Sequence, residues 1–567
     1  MGTKNKLQQL FLELFIILLL IGVVYALYRR EIYISSYVED IKVSLLFVYL
    51  LRSLVRMFLA YILSLLFSFT YGYLAATSER REAIMIPVLD ILQSVPILGF
   101  FPVAIAFFIS LIPNSIIGIE LASIFLIFTS QSWNIAFGVY ESIKGIPKDI
   151  EEAYEFYDPL ANLKLRRLYI PASIPKVVYN SIVSWSNGWY FLVASEIFAV
   201  GEKSFRLPGI GSFILVSATE GKIGLVLLGI FVLAVTILLL DMFMWRPLSQ
   251  WSRRFRYSVS PGEEEEKEVL DIVILFWEFV GRVLDHLKRP FEKIDFESYS
   301  MRIHRFLKSK FLGYLSRILK YIVITLGIFV LLFIFYYTVR GVVNIAFSIR
   351  LNQVLIALKA LFFSSIRVFS SYILAVLWTV PVAIGLYNRK KIANFVLPIF
   401  QILSSIPAIS FFPLLLYFLL PIKFGLEISS IVLILTGMQW YVFFVSYGGL
   451  KAIPNDLLEV VDSYGVKGGL KLRRLLFPAM LPSFLTGTVT ALGGAWNALV
   501  VAEYIDVKGK PYMVTGIGAL LNVSLSQNEK GLFTLALILL VLTVYSINHF
   551  VYRPLYAKIL DRYRMEA

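Results

Sequence analysis

KLRRLYIPASIP (164–175) and KLRRLLFPAMLP (471–482) lie 307 residues apart in the same chain. The register they share runs outward in both directions. Trp133 matches Trp440, Ile146-Pro147 matches Ile453-Pro454, and Glu152 matches Glu459. Further on, Trp189 matches Trp496, Glu196 matches Glu503, and Gly209-Ile210-Gly211 matches Gly516-Ile517-Gly518. Upstream the offset is 311: Arg56-x-Phe58-x-x-Tyr61 recurs as Arg367-x-Phe369-x-x-Tyr372, and Pro87, Pro96 and Phe101-Pro102 recur as Pro398, Pro407 and Phe412-Pro413. Chance does not hold one register over such a length. The chain is an internal duplication whose second copy has lost four residues.

The solvent of that duplicated unit follows from composition. Of 567 residues, 58% are hydrophobic and 16% charged, against about 25% charged in soluble domains. Apolar runs long enough to cross a bilayer recur, as at 10–28 and 223–245. Each copy reads as six spans, near 10–28, 44–76, 84–111, 115–140, 177–200 and 223–245, then 319–338, 355–387, 392–420, 425–448, 483–505 and 531–552. An even number per copy gives both the same orientation, a parallel repeat. The expected fold is therefore all-α and integral to the membrane, with about twelve transmembrane helices in two parallel six-span repeats.

Net charge is +15. In a soluble protein that suggests nucleic acid; here it reflects basic loops on one membrane face, and no nucleic-acid partner is expected. Ser78-Glu79-Arg80-Arg81, 142–176, Arg253-Arg254-Phe255-Arg256, Asn388-Arg389-Lys390-Lys391 and 449–482 all fall on one side, which the positive-inside rule makes cytoplasmic. The plasma membrane is the expected location, with both termini in the cytoplasm. The run 10–28 has no small-residue cleavage site after it and reads as a retained first span. The domain map is 1–250 for the first unit, 251–318 for a cytoplasmic linker and 319–567 for the second unit. Within the linker, 269–284 carries Asp271, Glu278 and Arg282 and reads as an interfacial amphipathic helix.

Between the fourth and fifth spans each copy has a long polar loop, 151–175 and 458–482. Pro147 and Pro454 precede a short helix in each, where proline is tolerated. Asp158-Pro159 and Gly465 then break it. This loop resembles the EAA motif of binding-protein-dependent ABC importer permeases: Glu-Ala-Ala, three residues, Gly, nine residues, then Ile-x-Leu-Pro. Glu152-Ala153-Tyr154 leads to Asp158 and to Leu168-x-Ile170-Pro171, and Glu459-Val460-Val461 leads to Gly465 and to Leu475-x-Phe477-Pro478, with no gaps in either. The first copy lacks the glycine and neither has both alanines. The resemblance implies that Glu152, Ala153 and Asp158, with Glu459 and Gly465, lie in two coupling loops that dock on cytoplasmic ATPase subunits, two of them; Arg166 and Arg167, with Arg473 and Arg474, supply the cationic flank of such loops or serve membrane topology and lipid headgroups alone. It also implies a solute-binding protein outside the cell and a small-molecule substrate.

GWYFLVASEIFAVG (188–201) and AWNALVVAEYI (495–505), followed by the two Gly-Ile-Gly runs, resemble the nitrate/sulfonate/taurine/bicarbonate-type branch. That resemblance suggests an oxyanion or organic sulfonate as solute. Glu196 and Glu503 lie within the fifth spans, where a charge costs roughly 2.5–3.5 kcal/mol at the bilayer centre on insertion scales and must face protein or water. They are candidates for a pathway or gate, or for a structural hydrogen bond. Trp189 and Trp496 are pathway candidates beside a packing role. Ser94 and Ser405 adjoin the prolines of the third spans, where freed carbonyls could line a cavity.

No Gly-x-x-x-x-Gly-Lys-Ser/Thr is present, so ATP would be hydrolysed by a partner and the chain needs no cofactor of its own. With no cysteine and three histidines, neither a metal site nor catalysis is expected. The alternatives are a twelve-span secondary transporter of the major-facilitator type, which needs no docking loop, and a membrane scaffold.

Overall fold

The computed structural model describes residues 43–255 and 349–559, apart from short breaks at 95, 112–115, 158–163, 198, 201–202, 205–206, 508–509, 528, 553 and 557. The expected spans 10–28 and 319–338 and the helix at 269–284 lie outside the described residues. The described residues of both copies, apart from 349–353, fall in one compact unit.

Among the described residues the first copy opens with a 3-10 turn (Val43–Leu45) and α1 (Leu46–Ala76). At 1.5 Å per residue it is about 46 Å long, more than the roughly 30 Å hydrocarbon core requires. Small residues (Ser53, Ala60, Ser64, Ser68, Gly72 and Ala75) occupy its buried face, while Phe47, Leu59, Ile62 and Leu66 point outward. Packing between apolar helices in lipid depends on such close approach. A Cβ on Gly72 would sit 2.7 Å from the Cβ of Val139.

Next come α2 (Glu79–Ser94) and α3 (Ile97–Leu111). The expected span over 84–111 is thus built of two helices, and its counterpart over 392–420 is built the same way, of Lys390–Ser405 and Ala408–Leu419. The cause is the middle proline. Pro407 has no N–H to continue a helix and holds Ile406 in extended backbone (φ −78°, ψ 125°). Pro87, Pro398 and Pro413 remain inside helices.

The copy continues with α4 (Ile116–Lys144), α5 (Lys148–Tyr157), a π-helical turn (Leu165–Tyr169) and α6 (Ile170–Ile197). A hairpin (Ala199–Val200 with Lys203–Ser204) precedes α7 (Ile210–Thr219), α8 (Ile223–Leu240) and α9 (Arg246–Arg253).

The second copy repeats the order: α10 (Leu351–Tyr387), α11 (Lys390–Ser405), α12 (Ala408–Leu419), α13 (Gly425–Lys451), α14 (Asn455–Ser463), α15 (Gly468–Lys471), a π-helical turn (Leu472–Leu476), α16 (Phe477–Ala502), a hairpin (Tyr504–Val507 with Lys510–Met513), α17 (Ile517–Ser526) and α18 (Lys530–Ser546). Several boundaries coincide at the sequence offsets. Helix α2 maps onto α11, α7 onto α17, and one π-helical turn onto the other.

Among the described residues seven helices are long and apolar enough to cross a membrane, from Val43–Ala76 to Lys530–Tyr556. The pair α11 and α12, bent by 81°, makes an eighth if it is one span. Helix α6 is as long but rich in Ser and Asn. One apolar core runs through both copies, with Trp189, Phe213, Trp496 and Phe412 among its largest buried side chains.

Candidate functional site

The first polar loop begins with α5, whose opening turn carries Asp149 and Glu151 where the helix dipole favours acids. Glu152 and Ala153 are exposed, as are Arg166 and Arg167 on the π-helical turn, and Asp158 lies outside the described residues. Glu151 folds the loop back on itself: Lys164 Nζ lies 2.8 Å from its carboxylate and Tyr169 donates a 2.7 Å bond to it. The Lys164 hydrogen bond, helped by Tyr169, holds the Glu151 carboxyl below the usual glutamate range.

In the second loop α14 stops at Gly465, whose φ of 66° is the left-handed region that glycine tolerates. Val466 N donates to Val461 O and Gly465 N to Asp462 O, closing the end of the helix. Gly468 (φ 59°) then starts α15, and Lys471 pairs with Asp462 at 2.6 Å. Glu459, Arg473 and Arg474 are exposed. Each loop also shows a large aromatic side chain to solvent, Phe156 at 84% and Tyr464 at 83% exposure. A polar helix–break–helix with exposed aromatics has the make-up of a docking element.

Glu196 and Glu503 are 0% and 1% exposed, and each is bound on every side. Arg56 Nη1 donates to Glu196 Oε1 at 2.7 Å, Ser53 Oγ donates to the same oxygen at 2.5 Å, and Gly211 N donates to Oε2 at 2.7 Å. The remaining guanidinium nitrogens hold Glu120 at 2.5 and 2.8 Å and the Pro208 carbonyl at 3.0 Å. The second copy repeats this: Arg367 to Glu503 (2.6 Å), Ser364 to Glu503 (2.7 Å), Gly518 N to Glu503 (2.8 Å) and Arg367 to Glu427 (2.7 and 2.9 Å). A buried carboxylate is tolerable only when paired and hydrogen-bonded, and here an arginine and a helix N-terminus do both.

These knots tie α1, α4, α6 and α7 together at one point, and α10, α13, α16 and α17 at another. They also account for the Gly-Ile-Gly runs. A Cβ on Gly209 would land on the Glu196 carboxylate, and one on Gly516 on that of Glu503. Glu120 and Glu427 were missed by the sequence reading, although they match each other at the 307 offset. Nothing in the sequence says that a glutamate near a span end reaches an arginine 64 residues earlier.

Trp189 and Trp496 are buried in the core. Ser94 ends α2, and its side chain lies outside the described residues. Ser405 ends α11, its hydroxyl bonded back to Ile402 O at 2.7 Å.

Polar contacts between the copies involve other residues. Tyr441 of α13 donates to Asn187 of α6, and Ile97 N, at the start of α3, donates to Asn497 of α16 at 2.7 Å. Neither bond is duplicated. Tyr441 and Asn187 correspond to Asn134 and Gly494, and Asn497 and Ile97 to Tyr190 and Ala408.

The sequence profile of the family described as binding-protein-dependent transport system inner membrane component matches twice, over residues 68–245 and 375–560. The chain belongs to this family, as two permease units fused in one polypeptide. The family is one of transport permeases rather than enzymes, and its binding-protein-dependent description sets it apart from the major-facilitator alternative. Among curated proteins, a putative ABC transporter permease protein of Methanocaldococcus jannaschii is 28% identical over 31% of this chain and 62% of its own length. The taurine transport system permease protein TauC of Escherichia coli is 29% identical over 27% of this chain and 55% of its own. The bicarbonate transport system permease protein CmpB of Synechococcus elongatus is 24% identical over 36% and 68%. The chain spans about 60% of the length of the first two relatives.

Proposed function

We propose that this chain forms the membrane pathway of an ATP-driven importer, moving a small solute by alternating access between its two copies. Two cytoplasmic ATPase subunits dock on the loops at 148–169 and 455–476, and a solute-binding protein delivers the ligand from the other side. The observation that carries this reading is the pairing of two exposed polar levers with two buried ion knots. Each lever leads through a π-helical turn into α6 or α16, and the far end of that helix is anchored by Glu196 or Glu503. A push on the lever is then transmitted by a helix whose other end is fixed, as hinge motion requires. On this reading Glu196 and Glu503 act as fulcrums of the outer gate rather than as ligands of the solute.

The names of the taurine and bicarbonate relatives support a small organic sulfonate or oxyanion as cargo. The seam at Asn187, Tyr441 and Asn497 offers it neutral donors and acceptors. The basic loops support placing the levers, the linker and both termini in the cytoplasm of a plasma-membrane protein.

The test is reconstitution with the cognate ATPase and binding protein. The chain alone should hydrolyse no ATP, and the assembly should accumulate labelled solute in vesicles. Glu459→Arg or Gly465→Pro should insert normally yet lose ATPase stimulation and co-purification. Normal stimulation in both variants would remove the docking role.

A further inference from the structure

The second copy carries a surface feature that the first has filled. An apolar groove of about 590 Å³ lies between the last turns of α10 (Val380, Pro381, Ile384, Gly385) and the turn that opens α16 (Leu472, Phe477), with Arg473 at its rim. Counting back by 311, the first copy has Phe69, Tyr73 and Leu74 in place of Val380, Ile384 and Gly385. Each is larger than its counterpart. Tyr73 packs on Tyr169 with ring centroids 6.0 Å apart, and both Phe69 and Tyr73 join the apolar cluster that includes Leu165. In the second copy a Cβ built on Gly385 meets nothing within 4 Å.

The groove is the end of a longer track. Ile373, Leu377, Pro381 and Gly385 recur every four residues on the exposed face of α10, so the apolar stripe runs about 18 Å from Ile373 to Gly385. Cations cluster at its Gly385 end: exposed Arg473 and Arg474 on the π-helical turn, and Arg389, Lys390 and Lys391 just beyond α10. A positive rim on one end of an apolar track about one leaflet long is complementary to an amphiphile with an anionic head.

We propose that this groove holds one anionic phospholipid, its phosphate on Arg473 and an acyl chain along Ile384, Pro381 and Leu377. Its position against the second lever alone makes that lever sensitive to the headgroup charge of the leaflet it faces. The site depends on neither the transported solute nor the side of the membrane assigned above.

Native mass spectrometry of the full-length chain, released from nanodiscs of phosphatidylglycerol or of phosphatidylcholine, tests it. The wild type should retain one phosphatidylglycerol that Gly385→Leu loses; leucine is also the better helix former, so the variant should fold. Arg473→Gln should cut the preference for phosphatidylglycerol over phosphatidylcholine by about fivefold, the worth of one basic residue near an anionic headgroup. Phe69→Val, Tyr73→Ile and Leu74→Gly combined, which restore the second copy's side chains at all three positions, should open the matching groove in the first copy and add a second retained lipid. Equal retention by wild type and Gly385→Leu, or equal retention of the two lipids, overturns the proposal. So does a wild type that retains none, the result expected if residues 256–348 of the same chain cover the groove.

Discussion

The buried knots and the polar seam between the copies have opposite symmetries. Arg56, Ser53, Glu196 and Glu120 reappear side chain for side chain as Arg367, Ser364, Glu503 and Glu427, with the same donors on the same oxygens. The seam bonds, Tyr441 to Asn187 and Ile97 N to Asn497, have no counterpart at the equivalent positions. A duplicated chain keeps identical what each unit needs to hold its own end together, because a half-satisfied buried charge is costly in either copy. It is able to differ where the units face each other, since there each copy supplies only one side of the contact.

The comparison breaks first at the arginines. Arg56→Met leaves two carboxylates around an apolar side chain and should cost about 3–5 kcal/mol, the usual penalty for stripping one partner from a buried pair. Arg367→Met should cost less, because the Glu427 side chain is 41% exposed against 16% for Glu120 and water can take over part of its solvation. Thermal unfolding of the detergent-solubilised variants measures both. If Arg367→Met proves the worse, the greater exposure of Glu427 is not what sets the difference between the two knots.

A smaller effect is expected at the glycines that admit the carboxylates. Gly209→Ala and Gly516→Ala should each lose about 1–3 kcal/mol by overpacking, and by similar amounts in the two copies, since both methyl groups would fall on carboxylate atoms. A null effect at one position alone would mean that copy can move its glutamate aside.

At the seam, Tyr441→Phe removes the hydroxyl bound to Asn187 and should cost about 1 kcal/mol. Tyr190 is the equivalent of Asn497, and its buried hydroxyl has no hydrogen-bond partner among the described residues. Tyr190→Phe should therefore be neutral. Equal losses in the two variants would erase the asymmetry claimed for the seam.

The smallest effect belongs to the first lever. The Glu151 carboxyl is held below the usual glutamate range by Lys164 and Tyr169. Its tie is therefore fully present above about pH 4.3, the ordinary glutamate value, and is lost as pH falls through the lower folded-state value. Hydrogen exchange across 148–169 should loosen over that acid range in the wild type, while Glu151→Gln should be looser at neutral pH and lack the step.

The amino-acid sequence alone determined the duplication, the bilayer as solvent and the two polar loops, because each is written in local pattern: a register of matches, runs of apolar residues, proline and glycine beside charge. It marked Glu196 and Glu503 as out of place in a span and picked out the glycines that follow them, without saying that these belong together. Only the tertiary structure decided that Glu120 and Glu427 complete the knots, that Pro96 and Pro407 split the third spans where Pro87 and Pro398 do not, and that Asn187 meets Tyr441. Those facts depend on which helix faces carry partners across 60 to 400 residues of chain. Periodicity reports that a face is buried, and only packing reports what lies opposite.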